Sequence, residues 1–127
     1  MQPKVFNEQF APHLKQDVTI VVASGYNVYF KLLKFSPGQD VVMVAPRYAL
    51  ILFEDAFDIC HRMIGSSVRS LYQKGAGYPC FVSVEQDVSG TALETALAIA
   101  RAIGATKGGA IASSVREETA LDLFAGE

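Results

Sequence analysis

Two short runs of β-branched residues constrain this chain more than any other feature. Asp17 is followed by Val18-Thr19-Ile20-Val21-Val22-Ala23, and Asp40 by Val41-Val42-Met43-Val44-Ala45-Pro46. A strand with one wet face alternates polar and apolar residues, whereas a strand covered on both faces can be apolar throughout. Both runs are of the second kind, which predicts strands over 18–23 and 41–45 in a parallel sheet with helices on its two sides. Pro46 closes the second run, because it has no N–H to give to a ladder. A third run, Cys80-Phe81-Val82-Ser83-Val84, predicts a strand over 80–84 after the Gly75-Ala76-Gly77-Tyr78-Pro79 loop.

Helical signals fall between and after these runs. Tyr26 to Leu33 reads as a short helix or turn, closed by Ser36-Pro37-Gly38. Thr91 with Glu94 three residues on has the form of a capping box, and Leu93, Leu97, Ala100 and Ile103 fall on one stripe before Gly104, so a helix is predicted over about 90–103. Residues 48–64 carry Glu54, Asp55, Asp58 and Arg62 at helical spacing, which predicts a helix with Leu50, Phe53, Phe57 and Met63 turned to apolar surface. A last helix is predicted over 116–124, with Gly126 as its stop. Strands alternating with helices define the α/β class and a single domain.

The 127 residues suffice for a core without staples, since a chain of this size buries roughly two-thirds of its unfolded surface. A net charge of -2 with no Lys/Arg run argues against nucleic acid as a partner. No apolar stretch reaches the ~18 residues of a membrane span, and the first residues do not form a signal peptide. Cys60 and Cys80 stand far apart, which suits buried reduced thiols and a cytoplasmic setting.

Chemistry is sparse in the residues themselves. No GxGxxG and no Walker A sequence occurs, and the glycine stretches at 75–77 and 104–109 stand in the wrong order relative to strand and helix to cradle phosphate. Glu118 and Asp122 stand four apart on the last predicted helix, so both carboxylates fall on one face. That spacing suits Mg²⁺, which takes one or two carboxylates and keeps water or substrate elsewhere, but it also describes a solvated acidic face. His13 and His61 lack a nucleophile or acid at motif spacing and read as surface histidines, and Asp55 and Asp58 as the wet side of their helix.

Four segments in order resemble the ketol-acid reductoisomerase family over Glu8 to Glu127. Phe10-Ala11-Pro12-His13-Leu14-Lys15 with the following strand is similar to that family's "APNLK" and strand. Ser24-Gly25-Tyr26-Asn27-Val28-Tyr29-Phe30 resembles its "HGFNIHF", and Val41 to Pro46 its "VDVFMVAPK". In the longest match, Gln86-Asp87-Val88-Ser89-Gly90 looks like "QDASG", Ala102 to Gly109 like "GIGGTRAG", and Glu117-Glu118-Thr119 with Asp122-Leu123-Phe124 like "KEETETDLFGEQ". The resemblance implies the second half of an NADP-binding Rossmann-type domain, without the glycine-rich first βα unit. It also implies an oxidoreductase of branched-chain amino-acid synthesis, in which a 2-acetohydroxy acid undergoes Mg²⁺-dependent alkyl migration and then reduction by NADPH.

By position the resemblance makes Asp122 the carboxylate that bridges two metals, Glu118 an active-site glutamate, and Ser24, Gly25 and Asn27 the cofactor turn. Arg47 stands where the family has its active-site lysine, and arginine keeps the charge but stays protonated. Ser24 replaces the family's histidine. About seventeen residues, Tyr48 to Ile64, intervene before Gly65-Ser66-Ser67-Val68-Arg69 rejoins the pattern. The second metal glutamate belongs four residues after Asp122, where Gly126 stands, so Glu127 is the nearest candidate and is turned about 100° away on a continuing helix. The expectation is a partial or diverged family member that lacks the C-terminal helical domain or finds it in a homo-oligomer. The other class left open is a non-catalytic α/β binding or oligomerisation domain of the same descent.

Overall fold

A computed structural model describes residues 3–46, 80–104 and 109–125 of the chain. It opens with helix α1 (Pro3–Val5), which runs on through a wider turn over Phe6–Phe10 and a tighter one over Ala11–His13. Strand β1 (Thr19–Val22), the short helix α2 (Tyr26–Tyr29) and strand β2 (Asp40–Pro46) follow. Strand β3 (Cys80–Gln86), helix α3 (Ala92–Ala102), strand β4 (Ala110–Ala112) and helix α4 (Val115–Ala125) complete the described elements. The predicted helix over 48–64 lies outside the described residues.

The four strands form one sheet in the order β1-β2-β3-β4. β1 runs parallel to β2, with Thr19 opposite Asp40 and Val22 opposite Met43. β3 runs parallel to β4, with Cys80 opposite Ala110. The β2–β3 pair is antiparallel, with Val42 opposite Val84 and Pro46 opposite Cys80 and a register break between Val41 and Val42. The α/β class with helices flanking a Rossmann-like sheet is therefore observed, but the parallel sheet expected from the apolar runs is a mixed one. The reason lies in what such a run reports. It records that both faces of a strand are covered, and a central strand is covered equally whichever way its neighbour runs.

Both faces are covered here. On one, Val42, Val44, Cys80 and Val82 pack against Ala92, Ala96 and Ala100 of α3, with Val84 and Ile99 partly enclosed beside them. On the other, Met43, Ala45 and Phe81 pack with Val115 of α4, joined by Val22 and Val28. Alternate residues of β2 thus feed two cores, which is why none of them can be polar between Val41 and Ala45. β1 departs from expectation, because it is an edge strand and Val21 is 41% exposed.

Helix α3 matches its predicted span but presents a different face. Its sheet side is Ala92, Ala96 and Ala100, all fully buried, whereas Leu93, Leu97 and Ile103 stand exposed. Three alanines one turn apart let the helix axis approach the valine-covered sheet closely, and larger residues at those positions would hold it off. Nor does Thr91 cap the helix through its side chain. Asp87 does so, its Oδ1 accepting the amides of Gly90 at 2.8 Å and Ala92 at 3.4 Å. The Gln86–Gly90 loop that leads into it is anchored on Asp40, whose carboxylate accepts the Val88 amide at 2.7 Å, the Ser89 amide at 3.1 Å and the Ser89 hydroxyl at 2.5 Å.

Candidate functional site

The end of β1 and the start of α4 meet at one buried contact. β1 runs out at Val22, and Ser24-Gly25 turns the chain into α2, whose first turn closes with the amides of Val28 and Tyr29 on the Gly25 carbonyl at 3.1 and 2.8 Å. Gly25 is buried against α4, and a side chain there has no room: a Cβ would come within 2.7 Å of the Val115 carbonyl oxygen and 2.8 Å of Glu118 Oε2. The Gly25 amide donates to that same carboxylate oxygen at 2.6 Å. A carboxylate that is only 1% exposed needs such a donor, since burying it unpaired would be costly.

Helix α4 is fixed at its start by a reciprocal cap. The Glu117 amide donates to Ser114 Oγ at 3.2 Å, and the Ser114 amide donates back to Glu117 Oε2 at 3.1 Å. Glu85 adds an acceptor at the same helix end, its Oε1 lying 3.4 Å from the Val115 amide and 3.0 Å from the Ser83 hydroxyl. The capping box that sequence assigned to Thr91 and Glu94 is thus realised at Ser114 and Glu117, where the same S-x-x-E spacing was available to be read. Glu117 is occupied with the helix terminus. Glu118, one residue on, is turned inward towards α2.

Asp122 stands one turn beyond Glu118 and is exposed. Spacing therefore puts the two acids on one stripe, but the fold buries one and leaves the other in water. Next to Glu118, Thr119 is 2% exposed and its hydroxyl has no hydrogen-bond partner among the described residues, a feature that no sequence pattern announces. Ser24 and Asn27 come together elsewhere, at a groove of about 310 Å³ along β1 whose walls are Phe6, Ile20 to Ala23 and Leu33. Ser24 is exposed, and its Oγ lies 3.5 Å from the Tyr26 amide.

Arg47 and Glu127 lie outside the described residues. Among the described residues no group of three or more His, Cys, Asp and Glu is gathered as a metal site, and no helix is long and apolar enough to cross a membrane. Cys80 is a free, buried thiol as the sequence suggested, and burial pushes its pKa up, so it is a packing residue rather than a nucleophile. Cys60 is not among the described residues. His13 is exposed, in keeping with a surface role.

Comparison with known proteins bears on the same residues. Residues 1–109 match the family described as "Acetohydroxy acid isomeroreductase, NADPH-binding domain". Over 123 residues the chain is 44% identical to the ketol-acid reductoisomerase (NADP(+)) of Pyrobaculum aerophilum, which spans 97% of this chain and 33% of that protein. It is 39% identical over 124 residues to the enzyme of the same name from Saccharolobus islandicus, spanning 98% of this chain and 32% of the relative. A solved structure of an NADH-preferring ketol-acid reductoisomerase from an uncultured archean superposes with a TM-score of 0.79 at 33% identity, over 98% of this chain and 33% of that one. The chain therefore spans about a third of the length of the curated relatives it matches. With the family's segments in order along the sequence and its fold in the structure, the chain belongs to the acetohydroxy acid isomeroreductase NADPH-binding-domain family.

Proposed function

We propose that this chain supplies part of the cofactor and metal side of a ketol-acid reductoisomerase, acting on a 2-acetohydroxy acid with NADPH and Mg²⁺. The observation that carries this reading is the Gly25–Glu118 hydrogen bond, which ties the turn assigned to the cofactor to the helix assigned to the metal. In this reading Glu118 is a holding residue as much as a catalytic one, since one of its oxygens is committed to the Gly25 amide. That amide is consequently not free to donate to a pyrophosphate. What the turn offers a dinucleotide is the polar rim formed by Ser24 and Asn27, above an apolar groove suited to the flat face of a ring.

Asp122 is the residue that would hold Mg²⁺, with Glu127 as the second candidate. The described residues fit such an ion in part: an exposed carboxylate is the donor type it prefers, but six positions need filling and Glu118 is already engaged. When bound, Mg²⁺ would supply Lewis acidity to the substrate's carbonyl and hydroxyl oxygens. Arg47, in the lysine's place, would hold a negative charge on substrate or phosphate without moving a proton.

A second reading, a non-catalytic α/β binding domain of the same descent, is favoured by Ser24, which puts a hydroxyl of ordinary acidity where the family has an imidazole. The two readings separate on Mg²⁺ titrated calorimetrically into the chain and into Asp122→Ala, alongside NADPH oxidation with 2-acetolactate and excess Mg²⁺. The expected result is weak Mg²⁺ binding that the substitution removes, with no turnover by the chain alone. Mg²⁺ affinity indifferent to Asp122→Ala would overturn the metal assignment, and turnover by the chain alone would overturn its part role.

A further inference from the structure

Helix α3 turns an unusual outer side to solvent. Opposite its buried alanines stand Glu94, Leu97, Ala98, Arg101 and Ala102, all exposed. The outer stripe of a helix packed on a sheet ordinarily carries polar or charged residues at most positions. This one carries two, and between them Leu97, Ala98 and Ala102 border a shallow depression that Arg101 also lines. Neither the Glu94 nor the Arg101 side chain has an ion-pair or hydrogen-bond partner among the described residues.

The order of these residues contains its own complement. Glu94 and Arg101 are seven residues apart, about two turns and 10 Å along one side of the helix. When a second copy of the helix is laid antiparallel, with a two-fold axis between Leu97 and Ala98, every position pairs with one whose number completes the same sum. Glu94 then faces Arg101 of the second copy, Leu97 faces Ala98, and Leu93 faces Ala102. Opposite charges meet twice, and each large side chain meets a small one, as close helix packing requires. A parallel arrangement would set Glu94 against Glu94 and Leu97 against Leu97.

We propose that the outer face of α3 is a self-association surface, through which two copies of this chain pair antiparallel about a two-fold axis. The proposal is independent of the catalytic reading, since none of these residues belongs to the Gly25–Glu118 contact. A single face of eleven residues buries less than the roughly 1,200 Å² of standard stable interfaces, so the dimer is weak and concentration-dependent.

Sedimentation equilibrium of the purified chain tests this, at protein concentrations from about micromolar to about millimolar, the range in which small interfaces dissociate. The wild type is expected to pass from monomer to dimer. Glu94→Arg and Arg101→Glu each set like charges opposite one another twice, and each is expected to weaken the dimer at least about tenfold. The double variant E94R/R101E restores opposite charges and should regain the dimer. Since all these positions are exposed, circular dichroism should show the fold retained, and Ala98→Arg provides an independent block of the same face. A wild type that stays monomeric throughout, a single reversal without effect, or a double variant that fails to regain association would each overturn the proposal.

Discussion

Gly25 is a position where the fold has almost no latitude. Its Cβ, if present, would strike backbone and a buried carboxylate, neither of which can swing aside. Gly25→Ala is therefore expected to lower stability by about 1–3 kcal/mol in urea unfolding. Gly90→Ala makes the control. Gly90 has a φ of +80° with nothing within 4 Å of its missing Cβ, so only backbone strain of about 1–2 kcal/mol is incurred there, with no displacement of α4. Asp40 gives a pH prediction. Chiefly the Ser89 hydroxyl, then the Ser89 and Val88 amides, hold its carboxyl below the ordinary value of 3.8, against the opposing pull of burial. A carboxylate whose folded pKa is depressed stabilises the fold above its unfolded pKa and loses that contribution as pH falls through the folded value. Ser89→Ala should thus raise the midpoint of acid unfolding towards pH 3.8, while Ser89→Thr, which keeps the hydroxyl, should not. These contacts were not legible beforehand. The four-residue spacing of Glu118 and Asp122 placed them on one side of a helix, but α2 is one turn long and covers only the first of them.

Helix α3 shows how an element can be found by the right rule and oriented by the wrong one. Leu93, Leu97 and Ile103 have the spacing of an inward stripe, and alanine carries too little apolar area to advertise itself as the core-facing residue. Yet the sheet beneath is crowded with Val42, Val44 and Val82, and a close approach selects the smallest residue. Ala96→Leu should accordingly cost about 1–3 kcal/mol through overpacking. Leu93→Ala should change thermal stability by no more than about 0.5 kcal/mol, which is the reverse of what the leucine stripe implied. The strands were more legible, because a β-branched run between turn residues leaves little choice, and β2 and β3 begin and end within two residues of expectation. β4 was missed. Its Ala110-Ile111-Ala112 is too short and too exposed to carry a pattern. Helix α4 was recognised over nearly its whole length, while its true cap at Ser114 went unread beside the more conspicuous Thr91.

In the molecule as a whole, two valine-rich central strands separate two cores, and the contact between the β1 turn and α4 lies on the α2–α4 side. The order of segments along the chain revealed the family, since no single motif of five or six residues could have done so. Strand sense was hidden, because the connection from β2 to β3 spans residues 47–79 and carries no signal of direction. The residues assigned to proton and metal chemistry divide in the same way. Glu118 is engaged and buried, Asp122 waits in solvent, and their pairing with a substrate depends on groups supplied from beyond the described residues.

The exposed border of β1 has a practical consequence. Thr19-Ile20-Val21-Val22 has neighbours on one side only among the described strands, with no proline, lysine or bulge to blunt the other. Unpaired amides beside β-branched side chains are a template on which further chains can add, so the purified protein should precipitate from this border when concentrated. Val21→Lys places a charge at an already solvent-facing position and should slow the growth of light scattering without changing the unfolding midpoint. Scattering that grows equally fast in the variant would locate the sticky surface elsewhere.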